Sequence, residues 1–388
     1  MTEFDFDDRP FIVIWEVTRA CSLACCHCRS GASLSRHPLE LDTEEAFRFI
    51  DQVARCRPAS FVMTGVAPFR RLNLEKLVCH ATKRGLCVSL SPCATPEFAR
   101  ADLSKFKEAG VESISLSLDG ASHETYDRFR GVPGTWNWTM EAIANAALAG
   151  VPIQINTTFT RQNLREFDQF VRLMDEMQPA LWNVFQLVPT GRGKVDDLLT
   201  AEEMENLFER LARLSRTAPY DINTTDGHHY RRVVLQQLQG TDEPARSNVK
   251  HAGNSSILKQ VPYRQSAADG GIRAPLGIND GKGMVFVSHT GNIQPGGFLP
   301  LTAGNVRQDE LLDVYRHNPL FRELRDASLL KGNCGRCEFK TNCGGSRARA
   351  YAMTGDYLSE EPFCVYQPPT RNGLTSTELV GQENAAMA

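Results

Sequence analysis

No address or anchor stands out in this chain of 388 residues. Its first ten residues, MTEFDFDDRP, are acidic, whereas a secretory signal needs a basic start and an apolar stretch. The longest run free of Asp, Glu, Lys and Arg lies between Gly283 and Val306; it holds five Gly, two Pro, two Asn and a His, and is no membrane span. Strong charge of either sign is also missing. A formal net charge of −3 favours neither nucleic acid nor an acidic membrane as partner. The expected location is cytoplasmic, and there structural disulfides are rare.

Cysteine, by contrast, is abundant: twelve residues need another explanation. Cys56, Cys79, Cys87 and Cys93 are scattered singly and read as small buried hydrophobes. The other eight fall in two groups, Cys21–Cys28 and Cys334–Cys364.

From Phe11 to about Ser215, short β-branched or aromatic runs alternate with helical stretches. Strands are expected at Phe11–Val17, Ser60–Thr64, Cys87–Ser91, Ser113–Leu118, Pro152–Phe159 and Leu181–Val188. Helices are expected at Thr43–Arg55, Leu72–Arg84, Pro96–Ala109, Trp138–Ala149, Leu164–Met177 and Ala201–Arg216. Asp42 and Thr200, each followed by paired glutamates, supply N-terminal caps. Six βα units imply a parallel sheet with right-handed crossovers, whose ligands sit at the carboxyl ends of the strands. The first cysteine group follows the first strand at that end. Further on, a helix is expected around Tyr230–Leu238, a long loop or lid over Gly240–Ala274, a hairpin turning at "HTGN", and a helix at Leu311–Ala327.

Cys21, Cys25 and Cys28 stand at C-x3-C-x2-C. Three thiolates leave one iron of a 4Fe-4S cubane without a protein ligand, whereas structural zinc wants four. Cys26 adjoins Cys25, and neighbouring side chains rarely both point inward, so it reads as a spectator. Cys334, Cys337, Cys343 and Cys364, at C-x2-C-x5-C-x20-C, offer four thiolates to zinc or to a cluster.

With its strand context and second cysteine group, the chain resembles the radical S-adenosylmethionine (SAM) enzymes that carry a C-terminal SPASM/twitch extension. The resemblance covers about Phe11–Val188 and Gly283–Cys364. It implies an α/β fold: a partial (β/α)6 TIM-like barrel with a small cysteine-rich iron–sulfur extension. The corresponding divisions are a barrel at 1–216, a connecting segment and lid at 217–282, an auxiliary-cluster domain at 283–366 and a disordered tail at 367–388. It also implies a SAM-binding 4Fe-4S cluster on Cys21, Cys25 and Cys28, and SAM itself. One auxiliary 4Fe-4S cluster is expected on Cys334, Cys337, Cys343 and Cys364. Cleaved SAM gives a 5′-deoxyadenosyl radical that takes hydrogen from substrate, with flavodoxin or ferredoxin as electron donor.

Further cofactor contacts carry over by position: Gly65, Val66 and Ala67 in "TGVAP", Ser117 and Asp119 in "SLDG", Asn156, Thr158 and Val188. In the family, "TGVAP" usually reads Gly-Gly-Glu-Pro or Gly-Gly-Asp-Pro, and its acid holds the SAM ammonium. Here Val66 and Ala67 replace the second glycine and the acid. "LVPTGRG" and "TTDGHHYRR" are similar to segments of the tetrapyrrole-modifying branch, including the alternative haem b synthase, which decarboxylates propionates. Arg192, Arg231 and Arg232 would then grip propionates, and His228 or His229 would ligate porphyrin iron. Two other readings stand. One is maturation of a ribosomal peptide, with leader recognition left to a separate partner because only ten residues precede the first strand. The other is a non-catalytic iron–sulfur redox protein with a degraded SAM site.

Overall fold

The computed structural model describes residues 4–65, 67–239 and 277–369. Val66, most of the expected lid (240–276) and the tail beyond 369 lie outside the described residues. Seven parallel strands form the body of the sheet: β1 (Ile12–Glu16), β2 (Ser60–Thr64), β3 (Val88–Ser91), β4 (Val111–Ser117), β5 (Ile153–Phe159), β6 (Leu181–Gln186) and β7 (Asp221–Thr225). They lie side by side in chain order, as successive right-handed βα units require.

Helices cover one face. The first, α1 (Thr43–Cys56), starts in a capping box between Asp42 and Glu45, and buries Ala46, Phe49, Ile50 and Val53 at helical spacing. A second capping box, Thr200 with Glu203, starts the helix Ala201–Leu214. Between helices and sheet lies the core, where Trp15, Phe61, Met63, Leu90, Ile114, Ile155, Phe159 and Trp182 are fully buried. The opposite face of β3–β7 is polar. Ser91, Ser117, Asn156, Thr158 and Thr225 are half-buried there, and Asn183 pairs with Asn156 and Asn223 in adjacent strands. This alternation is the strand period of two, with the barrel lumen as the wet side.

The extension is built onto the sheet itself. Strand β8 (Asn279–Asp280) pairs with β9 (Gly283–Val287), and β9 pairs in parallel with β1, Ile14 opposite Phe286. The expected hairpin is present: β10 (Asn292–Gln294) returns antiparallel on β9 and is followed by β11 (Gly304–Asn305).

Several expected boundaries move, for local reasons. The stretch Pro96–Ala109 is two helices, Pro96–Ala99 and Leu103–Glu108, because the Asp102 carboxylate accepts Ser104 N–H (3.2 Å) and starts a new turn. Leu311–Ala327 is likewise split into Leu311–His317 and Pro319–Arg325. Asn318 precedes a proline, is extended (ψ 131°), and caps Leu320 N–H at 3.0 Å. Strand β7 and the helix His123–Arg130 were not expected from sequence.

Candidate active site

The loop after β1 carries the first cysteines and is hung on the helix His123–Arg130. Ala24 N–H donates to Arg130 O (3.0 Å), and Cys26 N–H to Phe129 O (3.0 Å). Cys21, Cys25 and Cys28 gather with Leu23, Ala67 and Cys93 in one small apolar cluster. Cys26 stands outside it, half-buried, with its sulfur 4.0 Å from His27 Nδ1. Two donors already face the thiols: Leu23 N–H on Cys21 Sγ (3.3 Å) and Arg130 Nη1 on Cys25 Sγ (3.6 Å). Buried thiolates need such donors and positive charge, so this donor set fits an iron-bound thiolate site.

Arg130 is aimed by Asp119, whose Oδ2 lies 2.6 Å from Arg130 Nη2 and whose Oδ1 accepts Thr158 N–H at 2.7 Å. Asp119 is 1% exposed. Its carboxylate is therefore committed to setting Arg130 against Cys25, and a SAM-contacting role would require it to leave both partners. His27 Nε2 lies 3.5 Å from the same carboxylate, and burial pushes the imidazole down to about 4, so the ring is neutral at pH 7. Ser117 ends β4, its carbonyl accepting Tyr126 O–H (2.8 Å), and faces the lumen beside Asn156. Asn156 accepts a bond from Gln154 Nε2 (2.7 Å), and Thr158 is half-buried on the same face. These three share the polar lumen face of β4 and β5.

Gly65 follows β2 with φ +138°, and a Cβ there would meet Thr18 O at 2.8 Å, so only glycine allows this close crossing of the β1 end. Ala67, 2% exposed, packs directly on Cys21 and Cys25. The "TGVAP" loop thus faces the first cysteines, although Val66 is outside the described residues. Val188 differs from expectation: it is 1% exposed, packed with Leu299, Leu324 and Ala348 of the extension, which leaves no open face for adenine there.

The "TGRG" loop closes over the same site. A Cβ on Gly191 (φ +61°) would lie 2.4 Å from the carbonyls of Cys28 and Arg29, and Arg192 N–H donates to Cys28 O at 2.9 Å. Nε and Nη2 of Arg192 are buried without a hydrogen-bond partner. A guanidinium so placed fits a carboxylate from a bound molecule.

Sequence reasoning missed Glu16, at the end of β1. Its carboxylate accepts Ser30 O–H (2.5 Å) and meets His289 Nδ1 (2.8 Å) and Arg29 Nη2 (3.4 Å). Burial alone would raise its pKa, but Arg29, His289 and Ser30 outweigh that and hold it at about 2. Arg29 also donates to Gly297 O (3.2 Å) and lies over the Phe286 ring at 4.5 Å, tying the cysteine loop to the extension. Cys93, expected as a small buried hydrophobe, packs against the apolar cluster that holds Cys21 and Cys25. An acid closing β1, and a cysteine two residues past the end of β3, were the available signals.

The histidine and arginine run lies elsewhere than expected. His229 is fully buried, its ring edge-on to Phe208 at 4.6 Å, and His228 is 7% exposed. Burial pushes His229 down to about 3, and His228 well below its ordinary value. Arg231 Nη1 donates to Asn342 O (3.1 Å). Arg232 is ion-paired with Glu205, bonded to Gln236 Oε1 (2.7 Å), and lies over the Tyr366 ring at 5.1 Å. To reach a propionate at the mouth, Arg232 would first have to abandon Glu205, and the His pair would have to come out of the core.

Cys334, Cys337, Cys343 and Cys364 all line one pocket that opens partly to solvent, together with His229, Arg232 and Glu361. Glu361 N–H points at Cys334 Sγ (3.3 Å) and Gly345 N–H at Cys343 Sγ (3.5 Å); Arg347 Nη2 is 3.8 Å from Cys334. Among the described residues, no three His, Cys, Asp or Glu close around one metal-ion point. Zinc needs its thiolates about 2.3 Å from one centre, whereas four thiols spread around one pocket are the donor set of a cubane.

Residues 15–174 match the family model described as the Radical SAM superfamily. Over 363 residues the chain is 38% identical to the AdoMet-dependent heme synthase of Methanosarcina barkeri (strain Fusaro / DSM 804), covering 92% of this chain and 97% of that one. The chain belongs to the radical SAM superfamily. A second relative, the AdoMet-dependent heme synthase of Nitratidesulfovibrio vulgaris (strain ATCC 29579 / DSM 644 / CCUG 34227 / NCIMB 8303 / VKM B-1760 / Hildenborough), is 37% identical over 362 residues, covering 92% of each chain. In fold, the chain is similar to Streptococcus suis SuiB bound to precursor peptide SuiA: TM-score 0.65, 16% identity, covering 92% of this chain and 76% of that one. As a radical SAM enzyme the protein binds a 4Fe-4S cluster and SAM, and acts with a reductant on a small-molecule or peptide substrate. The non-catalytic reading is thereby set aside. Among the described residues, no helix is long and apolar enough to cross a membrane.

Proposed function

We propose that this radical SAM enzyme decarboxylates propionate side chains of an iron porphyrin, completing a haem-type tetrapyrrole. What carries the substrate class is the nearly full-length likeness, at 38% identity, to a heme synthase. The site is compatible with it. Arg192, whose backbone N–H bonds Cys28 O, offers buried, unpaired guanidinium nitrogens, and the lumen face of β3–β7 is polar. In this reading Cys21, Cys25 and Cys28 hold the SAM cluster, and Cys334, Cys337, Cys343 and Cys364 hold one auxiliary cluster. When bound, cluster and SAM supply a 5′-deoxyadenosyl radical, and the auxiliary cluster supplies an electron relay.

The side chain –CH2–CH2–COO⁻ gives a vinyl group by losing a hydrogen atom from the carbon β to the carboxylate, CO2 and one electron, which the auxiliary cluster held by Cys334, Cys337, Cys343 and Cys364 would accept. The protein must hold the carboxylate still while the hydrogen leaves. Arg192 does this by a charge-assisted pair, and Ser117, Asn156 and Thr158 orient the cofactor moiety at the mouth. A cytoplasmic flavodoxin or ferredoxin provides the reducing electron.

The test is an anaerobic assay with SAM, a reductant and iron-coproporphyrin. The expected product has lost, counted from the free acid, CO2 and two hydrogens per altered side chain (the abstracted hydrogen and the carboxyl proton), with 5′-deoxyadenosine formed. Arg192→Ala should raise the porphyrin KM on the order of tenfold or more, leaving cluster content and SAM affinity unchanged. Unaltered porphyrin, alongside turnover of a peptide, would move the assignment to peptide maturation.

A further inference from the structure

His229 has no assigned partner, and its surroundings are unusual. The ring is fully buried, yet neither Nδ1 nor Nε2 has a hydrogen-bond partner. Two polar atoms left so in a protein core are costly, and native structures rarely tolerate that without a ligand or water to meet them. Phe208 closes one side of the ring, edge-on at 4.6 Å. His229 also lines the pocket of Cys334, Cys337, Cys343 and Cys364. His228, next in sequence, does not line that pocket.

We propose that His229 is a positioning residue of the auxiliary centre: its ring N–H donates a hydrogen bond to a sulfur of the cluster. The proposal rests on the reading that those four cysteines hold an iron–sulfur cluster. Four thiolates already complete the ligation of a cubane, so a fifth protein group in the pocket serves the sulfurs rather than the iron. A neutral imidazole has one N–H to give. The other sulfur-facing donors are the backbone N–H groups of Glu361 and Gly345, fixed by the fold, and the charged guanidinium of Arg347. His229 is therefore the neutral side-chain donor that substitution can remove. Hydrogen bonds to sulfur stabilise the reduced, more negative cluster and raise its potential. The barrel thus sets the potential of a centre housed in the extension, since His229 follows β7 while the cysteines follow β11.

The experiment compares reconstituted wild-type enzyme with His229→Phe and His229→Gln. Iron content and an EPR-monitored redox titration are read for each, and the auxiliary signal is identified from the triple Ala variant at Cys21, Cys25 and Cys28. Full iron content in all three, a potential shifted negative in His229→Phe, and partial recovery in His229→Gln support the proposal. An unshifted potential in an iron-replete His229→Phe overturns it. Wild-type enzyme grown with ¹⁵N-histidine gives a measurement free of folding effects. Weak ¹⁵N coupling on the auxiliary signal supports a hydrogen bond. No coupling, or the strong coupling of a directly bound nitrogen, overturns it. Wild-type protein with only about four irons would fail the cluster reading itself, a result distinct from all of these.

Discussion

Single residues decide what each cysteine group can hold. Replacing Cys21, Cys25 and Cys28 with Ala should reduce reconstituted iron from about eight to about four per chain. Cys26→Ala should leave it near eight, because Cys26 stands outside the cluster of the other three. Loss of half the iron in Cys26→Ala would make it a ligand. The "TGVAP" loop gives a second expectation. Ala67 shares a buried cluster with Cys21 and Cys25, and in the family's pattern the acid at this position holds the SAM ammonium. Val66→Gly with Ala67→Glu should tighten SAM binding on the order of tenfold, through one charge-assisted pair worth about 1.4 kcal/mol or more. Equal SAM dissociation constants on matched cluster content would show that another group already meets the ammonium. The cysteine groups were legible because spacing alone announces them. The use of Asp119 was not: its neighbours Arg130 and Thr158 are brought to it by tertiary packing, and "SLDG" reads the same whether the acid meets a ligand or an arginine.

At the scale of elements, legibility followed apolar periodicity. Strands β1–β6 each carry a run of β-branched or aromatic residues and were found to within a residue or two. Strand β7, DINTT, was missed because only Ile222 and Thr224 are buried and the rest is polar. The pairing of β9 with β1 was hidden for another reason, since 271 residues separate Val13 from its partner Val285 only in the chain. Glu16 joins these elements, bridging the cysteine loop to His289 in the β9–β10 turn. Its folded pKa, about 2, is depressed from an ordinary 4.5. Its contribution is therefore fully present above pH 4.5 and lost as pH falls through about 2, and amounts to about 3 kcal/mol. Glu16→Gln should cost a similar amount, about 3 kcal/mol, by leaving Arg29 and His289 beside a neutral amide. Denaturant melts at pH 7 and pH 3 measure it; a variant as stable as wild type at pH 7 would refute the bridge.

Across the whole molecule, barrel and extension share a buried polar seam that no motif announced. Arg349 pairs with Glu361, both fully buried, and reaches Leu187 O at 3.4 Å. Ser346 O–H donates to Asp226 (2.8 Å), and Ala348 N–H to Asp280 Oδ2 (3.1 Å). Asp226 and Asp280 sit close enough to repel, and burial drives both pKa values up, Asp280 to about 8. For an acid raised in this way the sign is the reverse of Glu16. The unfolded chain releases the proton near pH 3.8 while the native state keeps it to about 8, so stability falls as pH rises between those values. Asn imitates the protonated carboxyl: its carbonyl can still accept Ala348 N–H, and it has no proton to lose. Asp280→Asn should thus be more stable than wild type at pH 7.5, with the gap closing toward pH 4. Thermal melts of the cluster-loaded enzyme across that range are the measurement. Parallel wild-type and variant curves would mean that Asp280 is ionised in the native seam, held there by Arg347, and that the seam is bound by charge rather than by a shared proton.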